Sequence, residues 1–211
     1  MKFGETAERY NILGSTYKRL GLLSKDTAKE NAYLEASDAY KKADNLSPAK
    51  DKYYPITNWI AIDHAISLKK TGKKGKPKET IADQNDESPV DKSGDWTKLL
   101  ESALAARPVR SQGKKNFWDF VAEADIRFCQ LLLHYSQEEF DKMSRLYQKI
   151  WHFAGHQGNR LGTLEHLDIL IDLYGFVGEN KIIKMIEKCK VLLEGGSVDT
   201  NLTSGQEGIT N

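Results

Sequence analysis

Two neighbouring segments between Tyr10 and Pro48 combine small and aromatic residues at helical spacing. The first segment places such residues on one helix face: Tyr10, Leu13, Gly14 and Tyr17. The second segment has a small–aromatic–small stripe and ends at a proline: Ala36, Tyr40, Ala43 and Pro48. Small residues let two helices approach closely, and aromatic rings fill the space between them. The pattern predicts a helical hairpin, with one helix over 6–20 and the other over 29–45.

This spacing resembles the tetratricopeptide repeat (TPR), whose first helix is marked by an aromatic, a Leu-Gly pair and a second aromatic. The resemblance implies an α-solenoid, in which stacked helical hairpins bury their faces against their neighbours. Gly21 is the expected C-cap of the first helix. The link from Gly21 to Glu30 departs from the pattern, because it is roughly ten residues longer than a ~34-residue repeat allows.

Apolar periodicity and local stop signals predict six more helices. Pro55 opens the third helix, and Ser136 with Glu139 forms a capping-box spacing at the start of the sixth. The expected ranges of helices three to eight are 51–70, 96–106, 116–135, 136–154, 161–174 and 180–193. We therefore predict an all-α, TPR-like α-solenoid of about four hairpins over residues 5–194. Residues 71–95 have no apolar period and predict a flexible insertion, and residues 195–211 predict a disordered tail.

Composition limits the functional classes. The 211-residue chain has 31 basic and 30 acidic residues, so no global field directs it to nucleic acid or a membrane surface. Its longest apolar run, 128–133, is too short to cross a bilayer, and residues 1–10 lack a signal-peptide core. Cys129 and Cys189 lie in apolar helical context, which indicates buried thiols rather than a disulfide framework. We therefore expect a cytoplasmic protein without a membrane partner.

Two stretches resemble a narrower group, the TRAFs-binding region of apoptosis signal-regulating kinases and similar domains of bacterial signalling and defence proteins. The matching residues are Tyr53-Tyr54-Pro55 with Asn58, and Phe117-Trp118 with Ala122-Glu123-Ala124. The resemblance covers about residues 5–155 and includes a variable loop inside the second hairpin. It implies a scaffold or regulatory module that binds proteins, with an effector domain that is absent from this chain.

Catalytic and cofactor motifs are not found in the sequence. The glycines form neither a GxxxxGK[ST] nor a GxGxxG pattern, and no serine stands in a nucleophile elbow. His152 and His156 are four residues apart, but Gly155 between them predicts a helix end rather than a metal-binding face. We expect no enzyme activity, no cofactor and no metal site.

The concave groove of the solenoid is the best candidate for a partner-binding surface. It is formed by the first helix of each hairpin, and positions beside the packing stripe are expected to point outward. These positions are Asn11, Ser15, Lys18, Trp59, Glu123 and Arg127. An exposed Trp or Arg is a typical anchor for a protein or peptide partner. The alternative for Trp59 is a place in the core between repeats.

Two basic stretches favour an alternative function, nucleic-acid binding by a helical repeat. Residues 69–78 contain six lysines, and residues 107–115 form a second basic loop. The first stretch links helices within a hairpin and the second links two hairpins, so the two loops should lie on opposite edges. No aromatic residue alternates with the lysines, as a single-strand platform would require.

Overall fold

The computed structural model describes residues 4–72, 93–106, 116–153 and 157–196. This part of the chain contains eight α-helices, one short 3₁₀ helix at Ala49–Asp51 and no strand. The helices are α1 (Ala7–Leu23), α2 (Asp26–Leu46), α3 (Tyr53–Gly72), α4 (Ser93–Ala105), α5 (Phe117–Leu133), α6 (Gln137–Phe153), α7 (Gln157–Val177) and α8 (Asn180–Leu193). Consecutive helices pair as four hairpins, which confirms the predicted all-α, TPR-like architecture.

The first hairpin is tighter than predicted. Only Ser24 and Lys25 separate α1 from α2, so the long link expected from Gly21 to Glu30 is wrong. The chain reverses through Asp26, whose φ of 50° lies in the left-handed region that Asp tolerates better than most residues. Gly21 is therefore not a cap but an interior residue of α1.

The two glycines of α1 make room for tyrosine rings of α2. A Cβ atom on Gly14 would lie 2.8 Å from the ring of Tyr40, and one on Gly21 would lie 2.9 Å from the ring of Tyr33. Both tyrosines are fully buried. The glycines thus set the distance between α1 and α2, which is the close approach that the small–aromatic pattern predicts.

Local capping signals explain several helix starts. Thr6 caps α1 by accepting a hydrogen bond from the Arg9 backbone N–H. Asn116 and Asp119 form a reciprocal capping box at the start of α5. At the start of α6 the Glu139 N–H donates to Ser136 Oγ at 3.1 Å.

The predicted helix bounds differ from the observed ones by up to four residues, at helix starts as well as at helix ends. The range of α8 is as predicted, but α7 continues through Gly175 to Val177, and the chain turns instead at Gly178 with a φ of 84°. Helices α3 and α4 reach Gly72 and Ser93, so both ends of the predicted 71–95 insertion are helical. Three of the predicted segments lie wholly or mostly outside the described residues. They are the centre of the insertion (73–92), the second basic loop (107–115) and most of the tail (197–211).

The stack of hairpins curls back on itself. Helix α2 packs on α3, α3 and α4 pack on α5, and α8 packs on α6. Helix α7 contacts both α3 and α1, so the last hairpin touches the first across the inner face. None of the helices in the described segments has the length and apolar character needed to cross a membrane.

We predict that Gly14→Ala destabilises the protein. The new methyl group would overlap the Tyr40 ring, which is itself held edge-on against Tyr54 at 5.8 Å between centroids. Overpacking of this kind costs about 1–3 kcal/mol, more than the roughly 1 kcal/mol gained in helix propensity. Urea unfolding followed by circular dichroism measures the change.

Gly162→Ala is the matched control, because a Cβ on this helical glycine meets no atom within 4 Å. We expect it to stabilise the protein by up to about 1 kcal/mol. Equal effects of the two substitutions would show that the Gly14–Tyr40 contact does not set the helix spacing.

Candidate binding cavity inside the superhelix

Four helices meet around a cavity on the inner face. Helices α1, α3, α5 and α7 all contribute side chains to it, and its volume is about 210 Å³. The polar and charged lining residues are Ser15, Lys18, Arg19, Asp125, Thr163, Glu165 and His166. Tyr53, Tyr54, Trp118, Val121, Gly162 and Ile169 complete the wall. We call this space the inner cavity.

Lys18 is a buried cation at the wall of the inner cavity. Only 5% of its surface is exposed, and its Nζ donates to Asn58 Oδ1 at 2.5 Å. Its Nζ also lies 3.2 Å from His166 Nδ1. Asn58 is held in turn by donating from Nδ2 to the Tyr54 carbonyl at 2.7 Å. Burial lowers the pKa of Lys18 to about 8, although the charge of Asp125 acts in the opposite direction.

Asp125 is a buried carboxyl group on α5 that lines the same cavity. It is 8% exposed, and among the described residues no side chain or backbone group donates a hydrogen bond to it. Burial raises its pKa to about 7, and the nearby Lys18 only partly offsets this effect. The inner cavity therefore contains two groups of opposite sign that both titrate near neutral pH.

Three further charged or titratable side chains of the inner cavity, Arg19, Glu165 and His166, come from α1 and α7. Burial, followed by the charge of Lys18, holds the pKa of His166 well below its usual range, so the imidazole is neutral and accepts from Lys18 at Nδ1. Arg19 and Glu165 form a bidentate ion pair with distances of 2.6 and 2.9 Å. Both side chains are about half exposed, so this pair links α1 to α7 at the rim.

A second, more open depression adjoins the inner cavity along α1. It has a volume of about 530 Å³ and lies between α1 and the connection from α2 to α3. Its lining residues are Ala7, Glu8, Asn11, Ile12, Ser15, Thr16, Arg19, Ser47, Pro48, Asp51 and Tyr54. We call it the outer groove. Ser15, Arg19 and Tyr54 line both spaces, so the two are continuous.

The structure brings together three of the six residues predicted for the groove. Asn11 and Ser15 line the outer groove, and Ser15 and Lys18 line the inner cavity. The expectation that Lys18 points outward is wrong, since its ammonium group is buried against Asn58 and His166.

The other three predicted residues lie elsewhere. Trp59 is 8% exposed and packs edge-on against Trp96 with centroids 6.2 Å apart, so it belongs to the core rather than to an open surface. Arg127 bonds Glu123 on its own helix at 3.3 Å and Glu139 on α6 at 2.7 Å. A role of Glu123 and Arg127 in partner binding stays a prediction, because their visible contacts are those that join α5 to α6.

Sequence reasoning did not find Asp125, His166 or the Arg19–Glu165 pair. Asp125 is flanked by Ala124 and Ile126, both fully buried, and a carboxylate inside such an apolar run is the signal that could have marked it. No local sequence pattern marks His166. His156 lies outside the described residues, and within the described part no three His, Cys, Asp or Glu side chains come together as a metal site.

Both cysteine thiols are buried, and the first lysine of the basic stretch 69–78 forms an ion pair. Cys129 and Cys189 are buried and free, and Cys129 Sγ donates to the Thr57 carbonyl at 3.3 Å. Lys69, which opens the basic stretch 69–78, pairs with Glu30 at 2.7 Å and lies 3.6 Å from the ring centroid of Phe176. Nucleic-acid binding by the remaining lysines stays a prediction.

Comparison with known proteins agrees with this architecture. Residues 2–63, which include α1, α2 and the first half of α3, match the model of a family described as Tetratricopeptide Repeats-Sensor. The chain is therefore a TPR-like repeat protein, and repeats of this kind generally mediate protein–protein interactions. No curated protein and no solved structure matches the chain significantly. The narrower resemblance to the TRAFs-binding region stays a prediction.

We predict that Asp125→Asn stabilises the protein, and does so more strongly as pH rises. The unfolded chain loses this proton near pH 4, whereas the folded protein keeps it until about pH 7. Between these values the folded state binds more protons, so the carboxyl group's contribution to stability falls with increasing pH. The difference in unfolding free energy between variant and wild type should widen from pH 4 to pH 7, with a limiting slope of about 1.4 kcal/mol per unit.

Urea titrations at half-unit pH steps measure this difference. His64 and His166, whose pKa values are lowered by burial, affect variant and wild type alike and cancel in the comparison. Asp38→Asn, at an exposed position of α2, controls for the loss of one negative charge. A difference that is independent of pH would contradict the buried ionisation of Asp125.

Proposed function

We propose that the chain is a regulatory protein-interaction module of a larger signalling or defence protein or complex, and that the outer side of α1 binds its partner. The TPR-like repeat supports an interaction role. The name of the family that matches residues 2–63 includes the word sensor, which supports a regulatory role. The signalling or defence setting rests on the resemblance to the TRAFs-binding region.

The observation that favours this surface is an uncovered apolar stripe on α1. Ile12 is 61% exposed and Leu23 is 82% exposed. Together with Leu13 and Leu20, which are also exposed, they form the α1 stripe. At 100° per residue these four side chains fall within about a third of the helix circumference. An exposed apolar stripe of this kind is suited to pack against another helix.

The outer groove adds polar groups beside the α1 stripe. Ile12 belongs to both, while Asn11, Ser15 and Thr16 provide an amide and two hydroxyl groups along the same wall. Among the described residues Asn11 Oδ1 has no hydrogen-bond partner. The α1 stripe supplies buried area for a partner helix, and the outer groove supplies hydrogen bonds that fix its register. Asn11 and Ser15 are thus retained as partner-binding residues, beside the leucines that the sequence prediction did not include.

We predict that the double variant Ile12→Glu, Leu23→Glu loses partner binding without losing its fold. Two charges in the α1 stripe would have to be desolvated on docking, and centrally placed contacts of this kind are worth about 2 kcal/mol or more each. The partner is first identified by in-cell crosslinking in the native host and then purified, and its Kd is measured by calorimetry. We expect at least a roughly 30-fold increase in Kd.

Leu161→Glu is the matched control, because Leu161 is a comparably exposed leucine on α7, outside the α1 stripe. It should bind the partner as the wild type does, and all variants should give the same circular dichroism spectrum. An unchanged Kd for the double variant would refute the proposed surface. The absence of any specific protein partner in the native host would refute the interaction function.

A further inference from the structure

We infer that the inner cavity binds a small zwitterion of the α-amino-acid class, with its carboxylate near Lys18 and its ammonium group near Asp125. This site is distinct from the α1 stripe and does not depend on the proposed protein partner. It rests on two buried charges of opposite sign, on the size of the space and on the aromatic residues at its wall.

Lys18 is the group that recognises an anion. A lysine ammonium has three N–H donors, and Lys18 directs two of them to Asn58 and His166, both uncharged groups. Among the described residues no carboxylate lies within ion-pair distance of its Nζ. A ligand carboxylate in the inner cavity would accept the third N–H and neutralise a charge that burial makes unfavourable.

Asp125 is the group that recognises a cation. Its carboxyl group lies on the wall of the inner cavity, is more than nine-tenths buried and receives no hydrogen bond from the described residues. An ammonium group would supply both the hydrogen bond and the opposite charge. A simple anion would leave the Asp125 carboxyl group without a hydrogen-bond donor, and a simple cation would leave the Lys18 ammonium group without a carboxylate acceptor. A zwitterion satisfies both at once.

The size and lining of the inner cavity limit the rest of the ligand. A volume of about 210 Å³ is below the roughly 300–1,000 Å³ of pockets that hold drug-sized molecules. Val121 and Ile169 supply apolar wall, and Tyr53, Tyr54 and the half-exposed Trp118 supply aromatic surface. This lining suits an amino acid with an apolar or aromatic side chain.

Binding in the inner cavity would couple the two ends of the superhelix. Its lining comes from α1, α3, α5 and α7, so a bound zwitterion would contact the first and the last hairpin together. A ligand stabilises the conformation that it contacts, in proportion to its differential affinity. Occupancy would therefore favour the closed arrangement in which α7 lies against α1.

The test is isothermal titration calorimetry of the full chain at pH 7.5 with each of the twenty proteinogenic amino acids. We expect at least one with an apolar or aromatic side chain to bind. Its N-acetyl derivative, which lacks the ammonium group, and its carboxamide, which lacks the carboxylate, should each bind at least tenfold more weakly. Inorganic phosphate serves as a probe for a site that recognises anions alone.

Two variants place the binding event in the inner cavity. Gly162→Leu puts a side chain at the cavity lining, where a Cβ meets no atom within 4 Å, so the fold can accept it. It should abolish binding, and Asp125→Asn should weaken it at least tenfold. Gly158→Leu is the matched control, because this glycine lies one turn earlier on α7, is equally open and does not line the cavity. It should bind as the wild type does.

Several results would overturn the inference. They are the absence of binding by all twenty amino acids, binding that Gly162→Leu leaves unchanged, and phosphate binding as tight as that of the best amino acid. The Ile12→Glu, Leu23→Glu variant should keep amino-acid binding, since neither residue lines the inner cavity. Loss of partner binding and loss of ligand binding are therefore separate outcomes.

Discussion

The docking of α7 across the inner face is the contact on which the shape of this repeat protein depends. Asp172 of α7 accepts from Lys29 Nζ at 2.6 and 2.7 Å and from Tyr33 Oη at 2.7 Å, so one carboxylate joins the last hairpin to the first. Further along α7, Tyr174 Oη donates to the Ala61 carbonyl at 3.2 Å and lies 3.0 Å from His64 Nδ1. These bonds hold α7 against the first hairpin and α3, so the stack is closed. The inner cavity lies between α7 and the helices that it meets in this way.

Burying Lys18 and Asp125 inside the closed stack lowers the stability of the fold, and this cost points to a function for the two residues. An uncompensated buried charge destabilises a fold, and replacing such groups by apolar ones is often neutral or stabilising. Lys18 is stabilised by two polar neighbours, but Asp125 receives no hydrogen bond from the described residues. Sites where a protein departs from a well-satisfied core are typically functional. A ligand that neutralises both charges gives these residues a role that packing does not.

Helix α1 contributes to both proposed binding sites. Its inner side holds Lys18 against Asn58 and His166, and its outer side presents the α1 stripe. Gly14 and Gly21 hold the helix close to α2, so α1 and α2 form a tightly packed pair. A ligand that changes how α7 meets α1 therefore acts on the same helix that is proposed to bind the partner. This shared helix would be the physical basis for the proposed regulatory role.

The sequence by itself determined the local structure: the eight helices, their pairing as hairpins, the capping spacing of Ser136 and Glu139, and the contact of small residues with tyrosines. These features depend on residues a few positions apart, so residue type and spacing are enough to predict them. The sequence misplaced Gly21 and Gly175 as helix ends, because a glycine inside a helix looks the same in the sequence as a glycine that caps one. Only the tertiary structure decided the inner cavity. Lys18 meets Asn58 over a separation of 40 residues and His166 over 148, and no local pattern encodes the return of α7 that brings them together.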